Sequence, residues 1–120
     1  MLLSDSKIRE LISSGVLTET RSENLGPVSY DLTTRAFHTR ERQSFEKVTL
    51  SPGDSTYVST VEVIKLPRDI AARVLLRNSR IRQGLSLDAP LYFPGHHTRV
   101  FFRVTNMSSD QISLSTSDGI

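Results

Sequence analysis

Residues 59–84 read STVEVIKLPRDIAARVLLRNSRIRQG, and the fold turns on how they are read. Residues 61–66 (VEVIKL) are dominated by β-branched and aliphatic side chains, the composition of a strand. Pro67-Arg68-Asp69 breaks the run with a turn, and residues 70–76 (IAARVLL) predict a second strand. A polar, basic knot follows: Arg77-Asn78-Ser79-Arg80-Ile81-Arg82-Gln83-Gly84. Two strands that bring guanidinium and hydroxyl groups to a sheet edge suit the holding of a phosphate, because a planar guanidinium matches phosphate oxygens in pairs.

On the N-terminal side, residues 1–15 predict the chain's one helix. Ser4 or Asp5 is placed to cap it, Ile8, Leu11 and Ile12 form its apolar stripe, and Gly15 ends it. Between this helix and residue 59 the sequence breaks into short β-like runs at 16–19, 28–33 with 36–38, 47–50 and 56–61. Residues 40–46 are charged and read as an exposed loop, and Ser51-Pro52-Gly53-Asp54 is a turn. Beyond the knot, strands are expected at 85–87, 99–104 and 111–115, with a turn at Pro94-Gly95. Many short strands divided by turns imply an all-β jelly-roll or β-sandwich rather than a parallel α/β sheet. The chain reaches Ile120 inside a β pattern, which fits either a strand supplied by another subunit or a shortened chain.

The 120 residues are expected to form one domain, 1–120. The hydrophobic share is 37%, low enough to suit a core finished by oligomerisation. A net charge of +2, with no basic run longer than two residues, argues against a nucleic-acid partner. The absence of cysteine removes disulfide scaffolds and Cys-based zinc sites and fits a reducing cytoplasm. No apolar run approaches the roughly 20 residues of a membrane span, so no membrane partner is expected.

Five pieces of sequence together resemble the dCTP deaminase branch of the dUTPase-like superfamily. They are residues 3–15 (LSDSKIRELISSG), 26–32 (GPVSYDL), 52–70 with Pro52-Gly53, Thr60-Val61-Glu62 and Leu66-Pro67-Arg68-Asp69-Ile70, then 77–85 (RNSRIRQGL), and Asn106. The resemblance implies a distorted jelly-roll, a homotrimer with active sites between subunits, and a pyrimidine deoxynucleoside triphosphate as ligand. It implies Mg2+ carried on the phosphates and no zinc, with a glutamate-activated water attacking C4 of cytosine. It assigns triphosphate binding to Arg77, Asn78, Ser79 and Arg82, with Asp31 and Asp88 as further possible site residues.

The same resemblance exposes departures. The family's catalytic glutamate falls at Arg103, and a permanently protonated guanidinium cannot act as a base. The aspartate before the Pro-Gly turn falls at Phe93, the first serine of the Arg-Ser-Ser motif falls at Asn78, and the C-terminal closing segment is missing. Two functions follow: a dCTP deaminase of pyrimidine deoxynucleotide metabolism, or a non-catalytic trimer with a regulatory or partner-binding role. Bland readings stand beside each residue. The knot reads equally as a solvated basic loop, Asp31 as a turn former, and Arg103 as an outward or interface side chain rather than an anion holder. Tyr92, Phe93, Phe101 and Phe102 are expected in core or interface packing. Asp88 and Glu62 are the acids near the candidate site and so the candidates to replace the missing base. His38, His96 and His97 are not expected to form a metal site, because neighbours on a strand face opposite ways.

Overall fold

The computed structural model describes residues 5–20, 24–25 and 30–120. Helix α1 (Asp5–Ser13) closes as its glycine suggests: Gly15 has φ +86°, and the Val16 amide donates back to the Leu11 carbonyl at 2.9 Å. The strands are β1 (Leu17–Thr18), β2 (Thr34–His38), β3 (Ser44–Phe45), β4 (Lys47–Leu50), β5 (Ser55–Lys65), β6 (Leu85–Asp88), β7 (His97–Asn106) and β8 (Ile112–Ser115). A six-stranded sheet runs β3-β2-β5-β7-β6, with β1 also on β5, and a two-stranded sheet pairs β4 with β8. Every pairing is antiparallel. The all-β expectation stands.

The central strand β5 is a single eleven-residue element where two runs were expected. Its register on β7 slips between Ser59 and Val63, where four steps on β5 match two on β7, from Phe101 to Arg99. An even offset leaves the facing of side chains unchanged. Thr56, Val58, Thr60, Glu62 and Ile64 therefore all stay inward, as do Val100, Phe102, Val104 and Asn106 of β7. Arg99 stitches the slip, donating from Nη1 to the Thr60 and Val61 carbonyls at 3.1 and 2.6 Å. The core forms where these residues meet Leu50, Ile112 and Leu114 of the smaller sheet.

Three expectations need correction. Residues 70–76 are not a strand; they make a single bridge, Ala72 to Tyr92. The knot is not a loop but a second helix, α2 (Asn78–Gln83), stopped by Gly84 at φ 104°. The charged segment at 40–46 holds β3, joined to β2 by a tight turn in which Arg42 has φ +65°. Of the expected strand at 28–33, residues 28 and 29 lie outside the described residues; Tyr30 makes one isolated bridge and 31–33 are irregular. The expected cap at Ser4 also lies outside them.

Candidate functional site

The knot is built from its termini inward. Arg77 stands at the N-cap of α2 in extended geometry (φ −61°, ψ 145°) and its side chain makes no capping hydrogen bond. Its guanidinium lies 3.6 Å from Asp31 Oδ2, with both side chains about half exposed. Its amide donates to the Ile120 carbonyl at 3.0 Å, and Arg80 Nε donates to the Gly119 carbonyl at 2.9 Å. Residues 119–120 are thereby held against both arginines, so closely that a side chain at Gly119 would collide with the Arg77 guanidinium. A cavity of about 320 Å³ adjoins this contact, lined by Asp31, Thr34, Thr60, Arg77, Phe102 and Ile120 among others. Asn78, Ser79 and Arg82 lie on the exposed surface of α2. The structure thus brings Asp31 to Arg77 and keeps Asn78, Ser79 and Arg82 beside them on one helix. Arg80, which sequence reasoning left without a role, anchors residue 119.

Arg103 is elsewhere. Phe102 faces the cavity, so Arg103, the next residue on β7, faces the opposite side of the sheet. There it sits opposite Tyr57 on β5 and Asp88 on β6. Its Nε and Nη2 both donate to Asp88 Oδ2, at 3.2 and 2.6 Å. That hydrogen bond, with the adjacent negative charge, raises the guanidinium pKa further above its ordinary value. Asp88 is therefore the partner of Arg103 within one chain, and the expected pairing across a subunit interface is not needed to explain the residue. Tyr57 stacks on Phe101 with centroids 5.5 Å apart and planes at 16°, and His38 tilts against the same ring at 5.8 Å.

The other candidate acid is corrected by its surroundings. Glu62 is fully buried. Its carboxylate accepts from the Thr33 amide at 2.7 Å, the Thr33 hydroxyl at 2.9 Å and the Tyr30 hydroxyl at 2.9 Å. It is a tie between β5 and the segment that carries Asp31, and it offers no face to a substrate. The aromatic residues divide: Tyr92 and Phe102 are core, whereas Phe93 is 66% exposed and Phe101 45%. The Tyr92 hydroxyl donates to the Phe101 carbonyl and accepts from its amide, taking the place of a strand partner where β6 ends. His38 bridges Ser44 and Ser59 through its two ring nitrogens, at 3.0 and 2.7 Å. Among the described residues no three His, Asp or Glu side chains gather as they would around a metal ion. No helix among them is long and apolar enough to cross a membrane.

The chain was compared with known proteins. A family model described as dCTP deaminase-like matches residues 35–120. The dCTP deaminase of Pyrococcus horikoshii is 30% identical over 119 residues, covering 95% of this chain and 74% of that protein. The dCTP deaminase of Pyrococcus furiosus is 31% identical over the same shares. Among solved structures, the 2'-deoxycytidine 5'-triphosphate deaminase of Agrobacterium tumefaciens superposes with a TM-score of 0.76 at 16% identity, which speaks for the fold. The match takes in 95% of this chain and 44% of that one, so this chain spans less than half the length of the solved protein. A family model over most of the chain, archaeal relatives across nearly all of it and a shared all-β fold agree: the chain belongs to the dCTP deaminase-like family.

Proposed function

We propose that this chain is a cytoplasmic, homotrimeric member of the family that binds a pyrimidine deoxynucleoside triphosphate and does not deaminate it. The observation that carries the reading is the Arg103–Asp88 pair. The resemblance puts the family's general base at position 103, and there a permanent cation is held by two hydrogen bonds to one carboxylate oxygen. A base must take a proton from water; the Arg103 guanidinium cannot, and Asp88 has one oxygen committed to it; losing a positioned base is typically worth about 10²–10⁴ in rate. The proposed triphosphate site is Arg77, Asn78, Ser79 and Arg82. Arg77 is held by Asp31 through a long, half-exposed ion pair, which is worth little and is readily exchanged for a polyanion. Mg2+ enters as the counter-ion that the triphosphate brings.

The test is incubation with dCTP and dUTP in the presence of Mg2+, following ammonia and pyrophosphate, with calorimetry alongside. The expected result is no ammonia above the blank and saturable dCTP binding, weakened about tenfold by Arg82→Ala, the size of one charge-assisted contact. Turnover of dCTP would overturn the non-catalytic reading and leave the family's own reaction, which the 30% identity to a dCTP deaminase favours. Absence of both turnover and binding would leave a partner-binding role.

A further inference from the structure

We infer that residues 119 and 120 are the seat of the basic knot, with Gly119 and Arg80 as positioning residues that set the Arg77 guanidinium for an anion. The inference rests on the proposed reading that the knot holds a triphosphate, and it names what orients the leading arginine of that site. Helix α2 needs outside support. None of its six residues is buried, its N-cap side chain makes no capping hydrogen bond, and no acid stands in its first turn. At its C-terminal end the support is Gly84, whose carbonyl accepts from the Met107 amide at 2.8 Å. At its N-terminal end the support is the seat: the Ile120 carbonyl takes the Arg77 amide, and the Gly119 carbonyl takes Arg80 Nε. Arg80 also donates from Nη1 to Gln83 Oε1 at 2.9 Å, so one guanidinium spans from the helix to the seat. Of the arginines in the knot, Arg80 is partly buried, whereas Arg77 and Arg82 are exposed.

Gly119 is the decisive residue. The glycines with positive φ are 15, 53, 84 and 95, so backbone conformation does not call for glycine at 119. The Arg77 guanidinium does: its Cζ, Nη1 and Nε take the space that a Cβ at 119 would fill. The flat group rests on a bare backbone, with Nη2 turned toward Asp31. A side chain held in place beforehand gives up less freedom when an anion arrives, so the seat raises affinity without touching the ligand. It also separates function from folding. A methyl at 119 meets the end of a flexible side chain rather than backbone, so it displaces the guanidinium and leaves the fold alone.

The test is calorimetry with dCTP and Mg2+ on Gly119→Ala and Arg80→Ala, beside thermal melts and ¹H–¹⁵N NMR of the labelled chain. Gly119→Ala should weaken dCTP about tenfold, shift the Arg77 Nε–H resonance and leave the melting temperature unchanged. On an Arg77→Ala background the same change should alter dCTP affinity by less than about twofold, because the group it displaces is gone. Arg80→Ala should speed hydrogen exchange at the Arg77 amide about tenfold and weaken dCTP by a similar factor. Full dCTP affinity in both single variants would overturn the inference. So would an equal loss from Gly119→Ala with and without Arg77, which would show that residue 119 acts on the fold. If the wild-type chain binds no dCTP, the proposed function fails by itself. The seat is then judged by the Arg77 Nε–H resonance: a shift in Gly119→Ala upholds it, and an unmoved resonance overturns it.

Discussion

Glu62 shows how one buried side chain sets the position of an exposed one. Its three hydrogen bonds fix Thr33 and Tyr30, and Asp31, which faces Arg77, lies between them in sequence. Replacement by glutamine keeps an acceptor for the Thr33 amide and offers an NH₂ to two hydroxyls that can rotate to accept. Glu62→Gln should therefore cost only about 1 kcal/mol, whereas Glu62→Ala strands a buried amide and opens a cavity and should cost about 3–5 kcal/mol. Urea midpoints measure both; equal, small losses would show that the carboxylate is not the tie. The sequence marked Glu62 as an acid near the site but did not reveal that it is enclosed, because enclosure depends on Tyr30 and Thr33 crossing from a segment some thirty positions away. The Arg103–Asp88 pair was hidden for the same reason: it needs the register that sets Asp88 opposite Arg103.

At the scale of elements, α2 depends on its terminal glycine. Gly84 has φ 104°, and a Cβ there would stand 2.6 Å from the Cβ of Ser108. Gly95 shares the left-handed backbone (φ +87°) but faces open space. Gly95→Ala should cost about 1 kcal/mol for conformation alone, and Gly84→Ala about 2–4 kcal/mol, since strain and collision add. Thermal melts of the two variants test this; equal losses would mean that Ser108 moves aside without penalty. Strands β4 and β8 were legible because inward aliphatic and outward polar residues alternate along them, and β5 and β7 because of their β-branched and aromatic content. Helix α2 was not, because Asn78–Gln83 buries no residue and so carries no apolar period. The segment at 70–76 misled in the opposite sense. It has the composition and the alternating burial of a strand, yet among the described residues it finds only Tyr92 as a partner.

At the scale of the whole molecule, that unpartnered segment is the most informative surface. Leu75 is 71% exposed, and Ile81 and Leu91 are 57% and 48% exposed along the same groove. The groove continues inward through Val74, Leu76, Leu85 and Leu87. A radius of gyration of 14.7 Å exceeds the roughly 13.5 Å expected for a closed domain of this length. Apolar surface of this extent on a chain with a modest hydrophobic share calls for cover, and a stable contact needs about 800 Å² from each partner. Sedimentation velocity at micromolar concentration should therefore show an assembly, of three chains on the reading proposed above. Replacing Leu75 and Leu91 by glutamate should yield a folded monomer, because both side chains already lie largely in solvent within one chain and the charge penalises only the assembled state. A wild-type monomer at these concentrations would overturn the trimer. An unfolded double variant, read by far-UV circular dichroism, would assign the groove to the core of the single chain instead.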